Sequence, residues 1–179
     1  DLGNLKGRGK PAQKGDRMRM KDSVCRIFIH GLESSNKGTK SVFFREKFPD
    51  MIIPTFVGSL PERLSKLHGF LSGKSDIRIV GSSFGGLMGA LFAMGNEDRV
   101  KNLILLAPAI HMIHMAPGKI RKVSIPVCIY HGAEDEVIPL KDVEKAAGEY
   151  FENLTFHKVQ DDHFLHKTFT TIDWEHLLA

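Results

Sequence analysis

Gly81-Ser82-Ser83-Phe84-Gly85 places a serine between two glycines at two-residue spacing, after the apolar run 77–80 and before Leu87, Met88, Leu91 and Phe92 at helical spacing. A strand, a tight turn and a helix in that order leave the Ser83 hydroxyl exposed at the top of a sheet. Glycines on either side omit the Cβ atoms where the strand and helix backbones converge. Such a serine is placed to attack a carbonyl, but a hydroxyl is a poor nucleophile. It needs a general base, a group that orients the base, and donors for the oxyanion.

Two further segments supply base and acid. His131-Gly132-Ala133-Glu134-Asp135-Glu136-Val137-Ile138-Pro139 follows an apolar run and puts carboxylates at the end of a predicted strand. Gln160-Asp161-Asp162-His163-Phe164 follows the last predicted strand and puts an imidazole at the same end of the sheet. His157 falls within a strand, and His166 and His176 fall in the last predicted helix, so His163 is the candidate base. Glu134, Asp135 and Glu136 all remain open as the acid on position alone. Serine, acid and histidine occur in that chain order.

Together, Gly81 to Gly86, Gly132-x-x-Asp135-x-x-x-Pro139, Asp162-His163-Phe164 and the early His30-Gly31 resemble the signature segments of the α/β-hydrolase superfamily. The resemblance spans nearly everything after residue 23. It is most similar to small bacterial esterase-like hydrolases, through His30-Gly31-Leu32-Glu33-Ser34-Ser35 and the serine segment. It implies Asp135 as the acid, since Asp135 alone has the family spacing from Gly132 and Pro139. It implies an oxyanion hole from the backbone N–H groups of Leu32 and Phe84, with His30 and Gly31 beside the substrate. The implied fold is an α/β three-layer sandwich: a mostly parallel sheet of about six strands, helices on both faces, and no lid domain. The implied activity is that of a serine esterase or thioesterase for a small-molecule substrate with a modest acyl group, without metal or organic cofactor. A peptidase or amidase using the same triad, and a ligand-binding relative without catalysis, are the alternatives. The family's two antiparallel leading strands have no counterpart, because residues 1–22 show no strand pattern. Where a lid would be inserted stands the irregular segment 108–123, whose Met112, Ile113 and Met115 are candidates to line an acyl pocket. Glu33 adds a carboxylate near the mouth.

The elements that must position these groups alternate along the chain, as in a parallel sheet covered on both faces. Strands are predicted over 24–30, 51–53, 77–80, 100–106, 127–131 and 154–159. Helices are predicted near 38–48, 60–72, 85–94 and 139–151, with a last one near 165–178. Ser59 and Glu62 have capping-box spacing and Pro61 suits a first helical turn.

The 179 residues suit one domain, over 23–179. The net charge of +4 arises entirely in residues 1–22, where seven Lys or Arg face three Asp; the remainder balances eighteen against eighteen. That leaves no case for nucleic acid. Residues 1–22 are Gly- and Lys-rich without periodicity and are expected to form a flexible basic tail, either foreign to the protein or upstream of a natural start near Met18 and Met20. No signal or membrane segment is recognised, so a cytoplasmic protein is expected and the two cysteines, Cys25 and Cys128, are expected to be free and buried. Gly69-Phe70-Leu71-Ser72-Gly73-Lys74-Ser75 lacks the spacing and preceding strand of a phosphate loop. His111-Met112-Ile113-His114 has no third ligand beside it for a metal.

Overall fold

The computed structural model describes residues 23–179; the expected basic tail, 1–22, lies outside the described residues. Five apolar runs pair as parallel strands: β1 (Cys25–Ile29), β2 (Ile77–Ser82), β3 (Val100–Leu106), β4 (Val127–Gly132) and β5 (Leu154–Val159). Their spatial order is their sequence order. Each crossover therefore steps the same way, and the right-handed rule sends every connection over one face. That face carries α2 (Leu60–Phe70), α3 (Phe84–Gly95), a 3-10 turn at Ile110–Met115 and α4 (Leu140–Tyr150).

The sixth predicted strand, 51–53, is reduced to a single parallel bridge between Ile52 and Ile27. Ile52 N–H donates to Arg26 O and Phe28 N–H to Ile52 O. The next donor on that edge would be residue 54, which is proline and has no N–H. Because Ile52 lies on the far side of β1 from β2, its crossover runs in the opposite direction, and α1 (Thr39–Lys47) lands on the opposite face.

Side chains along each strand alternate between two apolar clusters. Ile27, Ile29, Ile79, Leu103, Leu105 and Ile129 face the α2–α3–α4 layer. Phe28, Val80, Ile104 and Leu106 face Phe44 of α1 and the C-terminal Phe169 and Trp174. Burial on both faces explains the apolar runs Ile79-Val80 of β2 and Leu103 to Leu106 of β3, whereas β5, at the edge of the sheet, has no fully buried residue. The α2 start is fixed by the expected capping box: Ser59 Oγ accepts from Glu62 N–H, and Glu62 Oε2 accepts from Ser59 N–H.

The last predicted helix, 165–178, is a correction. Leu165 has a positive φ of 55°, Phe169–Thr171 forms one 3-10 turn, Ile172 is extended, and only Trp174–Leu177 (α5) is α-helical. Thr170-Thr171-Ile172 is a β-branched run that resists helix, and Asp173 accepts from His176 N–H to start a new one. Cys25 and Cys128 are free and half-buried. Among the described residues no helix is long and apolar enough to cross a membrane.

Candidate active site

Ser83 has φ 54° and ψ −117°, a conformation that non-glycine residues avoid. Three backbone hydrogen bonds, each 2.9 Å, hold it: Ser83 N–H donates to Leu106 O, and Ser83 O accepts from the N–H groups of Gly86 and Ala109. The end of β3 thus clamps the turn from both sides. A Cβ on Gly81 would lie 2.5 Å from Gly85 O, and one on Gly85 would overlap the carbonyl of Ile29. Only glycine permits this approach of α3 to β1 and β2.

Asp135 lies in the loop after β4 with its side chain fully buried. Its Oδ1 accepts from the N–H groups of Val137 and Ile138, each at 2.8 Å. Its Oδ2 lies 2.7 Å from His163 Nδ1. A carboxylate only accepts, so Nδ1 carries the imidazole proton and Nε2 presents its lone pair to Ser83 Oγ, 3.2 Å away. Glu134 and Glu136, the other carboxylates of this loop, are exposed.

The loop that carries His163 is built around a second buried carboxylate. Asp161 is 2% exposed; its Oδ1 accepts from Asp162 N–H, and its Oδ2 accepts from Lys167 and Thr168 N–H. Burial pushes this carboxyl up, but bonds from Thr168, Asp162 and Lys167 outweigh it and hold the group below the usual carboxylate range. The acid and histidine loops are also stitched together, Ala133 N–H to Val159 O and Glu134 N–H to Asp161 O.

On the other side of Ser83, a Cβ on Gly31 would stand 3.2 Å from Ser83 Cβ, so the loop after β1 lies against the serine. Phe84 opens α3, where helical N–H groups have no intrahelical acceptor; Leu32 follows Gly31 with an exposed side chain. His30 requires a correction. It was expected beside the substrate, but it is 1% exposed and both ring nitrogens bond to the backbone. Nε2 accepts from Phe56 N–H at 2.9 Å, so Nδ1 is protonated and donates to Gly31 O at 2.7 Å. Burial pushes its pKa below the ordinary value. His30 braces the loop; it does not line the site.

The two methionines expected in one acyl pocket separate: Met112 packs against the larger apolar cluster, while Met115 is exposed. His114 Nδ1 bonds to His111 O, and among the described residues no three His, Cys, Asp or Glu side chains gather as a metal would require. Sequence reasoning passed over His131, which is fully buried with Nε2 3.3 Å from Asp135 Oδ2.

No protein-family model matches the sequence, and no curated protein matches it. Solved structures do match. Est1E from Butyrivibrio proteoclasticus, with ferulic acid bound, superposes with a TM-score of 0.67 at 18% identity, over 80% of this chain and 82% of that one. The fold is that of the α/β-hydrolases. A protein from Xanthomonas campestris pv. campestris, described within the α/β-hydrolase superfamily, gives 0.69 at 22% identity, over 83% and 91% of the two chains. Mouse alpha/beta hydrolase domain-containing protein 10 gives 0.64 at 18%, over 79% and 82%. In α/β-hydrolase terms, the strained serine follows β2, the acid loop follows β4 and the histidine loop follows β5, all at the carboxyl ends of the strands.

Proposed function

We propose that this chain is a serine hydrolase that cleaves a carboxylic ester or thioester of a modest acyl group. The observation that carries this reading is the continuous relay from Asp135 through His163 to Ser83 Oγ. Ser83 Oγ attacks the acyl carbon while His163 Nε2 takes its proton, and buried Asp135 stabilises the imidazolium that forms. The backbone N–H groups of Leu32 and Phe84 receive the oxyanion. Collapse of the adduct expels the alcohol or thiol, which leaves with the proton from Nε2. Water then repeats the sequence on the acyl-enzyme and releases the carboxylic acid. Est1E, which shares the fold, binds a carboxylic acid. Exposed Leu32, Val137 and Phe164 adjoin the oxyanion loop, the acid and the base, so an uncharged acyl group suits the mouth.

A fluorophosphonate probe and a panel of acyl esters and thioesters test the reading. Stoichiometric labelling of Ser83 is expected, and Ser83→Ala is expected to abolish labelling and most turnover while the protein stays folded. Labelling at Ser82, or a folded protein that turns over no acyl substrate at any pH, refutes it.

A further inference from the structure

His131 is the penultimate residue of β4, and its side chain is fully buried. Its Nε2 lies 2.9 Å from Ile138 O and 3.3 Å from Asp135 Oδ2. A carbonyl has no hydrogen to give, so Nε2 carries the proton and donates it to Ile138 O, while Asp135 Oδ2 lies nearby outside hydrogen-bond geometry. Nδ1 is buried with no partner. A second proton there would put an unreceived donor and a charge in the interior, so the ring is neutral. Burial likewise pushes this histidine below its ordinary pKa.

Packing does not account for an imidazole here. A leucine would fill similar space without leaving a buried nitrogen unsatisfied, which carries a desolvation penalty. What the imidazole adds is a hydrogen bond donor. Ile138 is the link: its carbonyl accepts from His131, and its N–H donates to Asp135 Oδ1. We infer that His131 is a positioning residue for the triad acid, its single N–H holding Ile138, whose own N–H donates to Asp135 Oδ1. The inference rests on the serine hydrolase reading for its kinetic consequences.

Without that donor Ile138 is held less firmly and its N–H bond to Asp135 Oδ1 weakens, so the carboxylate is less satisfied and holds the proton of a cationic His163 more strongly. The resting base then stays protonated to higher pH. The other charged groups around this pair are Glu144 from α4, exposed Glu134 and Glu136 from the acid loop, Asp161 and Asp162 from the histidine loop, Asp162 being paired with His166, and Lys40 from α1, whose ammonium donates to Phe164 O. None is altered by a change at His131.

The test compares His131→Leu with His131→Gln, whose amide restores a donor at a similar reach. For His131→Leu we expect retained fluorophosphonate labelling, unchanged KM, kcat lower by about tenfold, and the acid limb of kcat/KM moved to higher pH. His131→Gln should recover most of the rate and return the limb. Equal losses in both variants with the limb unmoved would make the role purely structural and overturn the inference. So would a folded His131→Leu with wild-type kinetics. If His131→Leu does not fold, nitrogen NMR of the wild-type imidazoles decides: a protonated Nε2 on His131 supports the inference, and a protonated Nδ1 overturns it. That spectrum needs no turnover, so an inactive wild-type protein would sink the hydrolase reading separately.

Discussion

Gly85→Ala tests whether the loop after β1, which carries the proposed oxyanion donor Leu32, depends on backbone contact between α3 and β1. An added Cβ would overlap the Ile29 carbonyl oxygen and stand 2.6 Å from Ile29 C and 2.7 Å from His30 O. Every one of these neighbours is backbone, so no rotamer change relieves the clash. Ordinary carbon contacts begin near 3.4 Å, so relieving the overlap with the Ile29 carbonyl oxygen takes a retreat of the end of β1 of more than about 1 Å. Overpacking of this kind costs roughly 2–4 kcal/mol, which for a domain of this size lowers Tm by about 5–15 °C. The segment that retreats carries His30, Gly31 and Leu32, and a misplacement near 1 Å at a reacting centre costs on the order of 100-fold in rate. Thermal unfolding and steady-state ester hydrolysis read the two effects. Gly148→Ala is the control: it lies in α4 with nothing within 4 Å of its Cβ, so it should gain about 0.5–1 kcal/mol from helix propensity and leave turnover alone. If Gly85→Ala melts and turns over like the wild type, close backbone approach does not hold the loop after β1.

Asp161→Asn replaces the acceptor of Lys167 and Thr168 N–H with an amide that cannot satisfy all three of its bonds, and should cost about 2–3 kcal/mol and disturb His163. Because its folded pKa lies below the ordinary 3.8, that stabilisation is complete above this value and is lost as pH falls through the folded pKa. The gap in urea stability between wild type and variant should therefore close below pH 3.8; a gap that persists refutes the account. His30 and His131 are both depressed below 6.5, so the unfolded chain takes up their protons first, and stability present above 6.5 is lost as pH falls toward their folded values. Stability should therefore fall as pH drops below 6.5, and His131→Gln should lessen that fall; a flat profile through this region refutes the neutral buried state.

Much of this arrangement was legible because it depends on local pattern. The runs at 100–106 and 154–159 form strands with those boundaries: the first because Leu103 to Leu106 are buried on both faces, the second, an edge strand with no fully buried residue, because Leu154 and Phe156 alternate with Thr155 and His157. Less legible was whatever depends on a distant partner. Leu165, Phe169 and Ile172 recur at helical spacing, yet Asp161 draws in the N–H groups of Lys167 and Thr168 and the chain turns there instead. The run Thr170-Thr171-Ile172 was the available warning. His131 left a usable signal too, because strand alternation places it on the face of Val127 and Ile129, where a histidine must be buried. Its tautomer was not legible, because it depends on Ile138 folding back across the acid loop.

Strand order explains why three segments distant in sequence meet. Serine and acid come from β2 and β4, which do not touch, because β3 lies between them. The intervening strand has no member in the Ser83–His163–Asp135 relay, yet Leu106 O and Ala109 N–H at its end grip both sides of the Ser83 peptide. It therefore sets the spacing that the histidine loop must bridge from β5, and holds the serine in a conformation it would not adopt alone. A change that moves the end of β3 should disturb Ser83 more than a change of equal size at β5, which reaches the serine only through the side chain of His163.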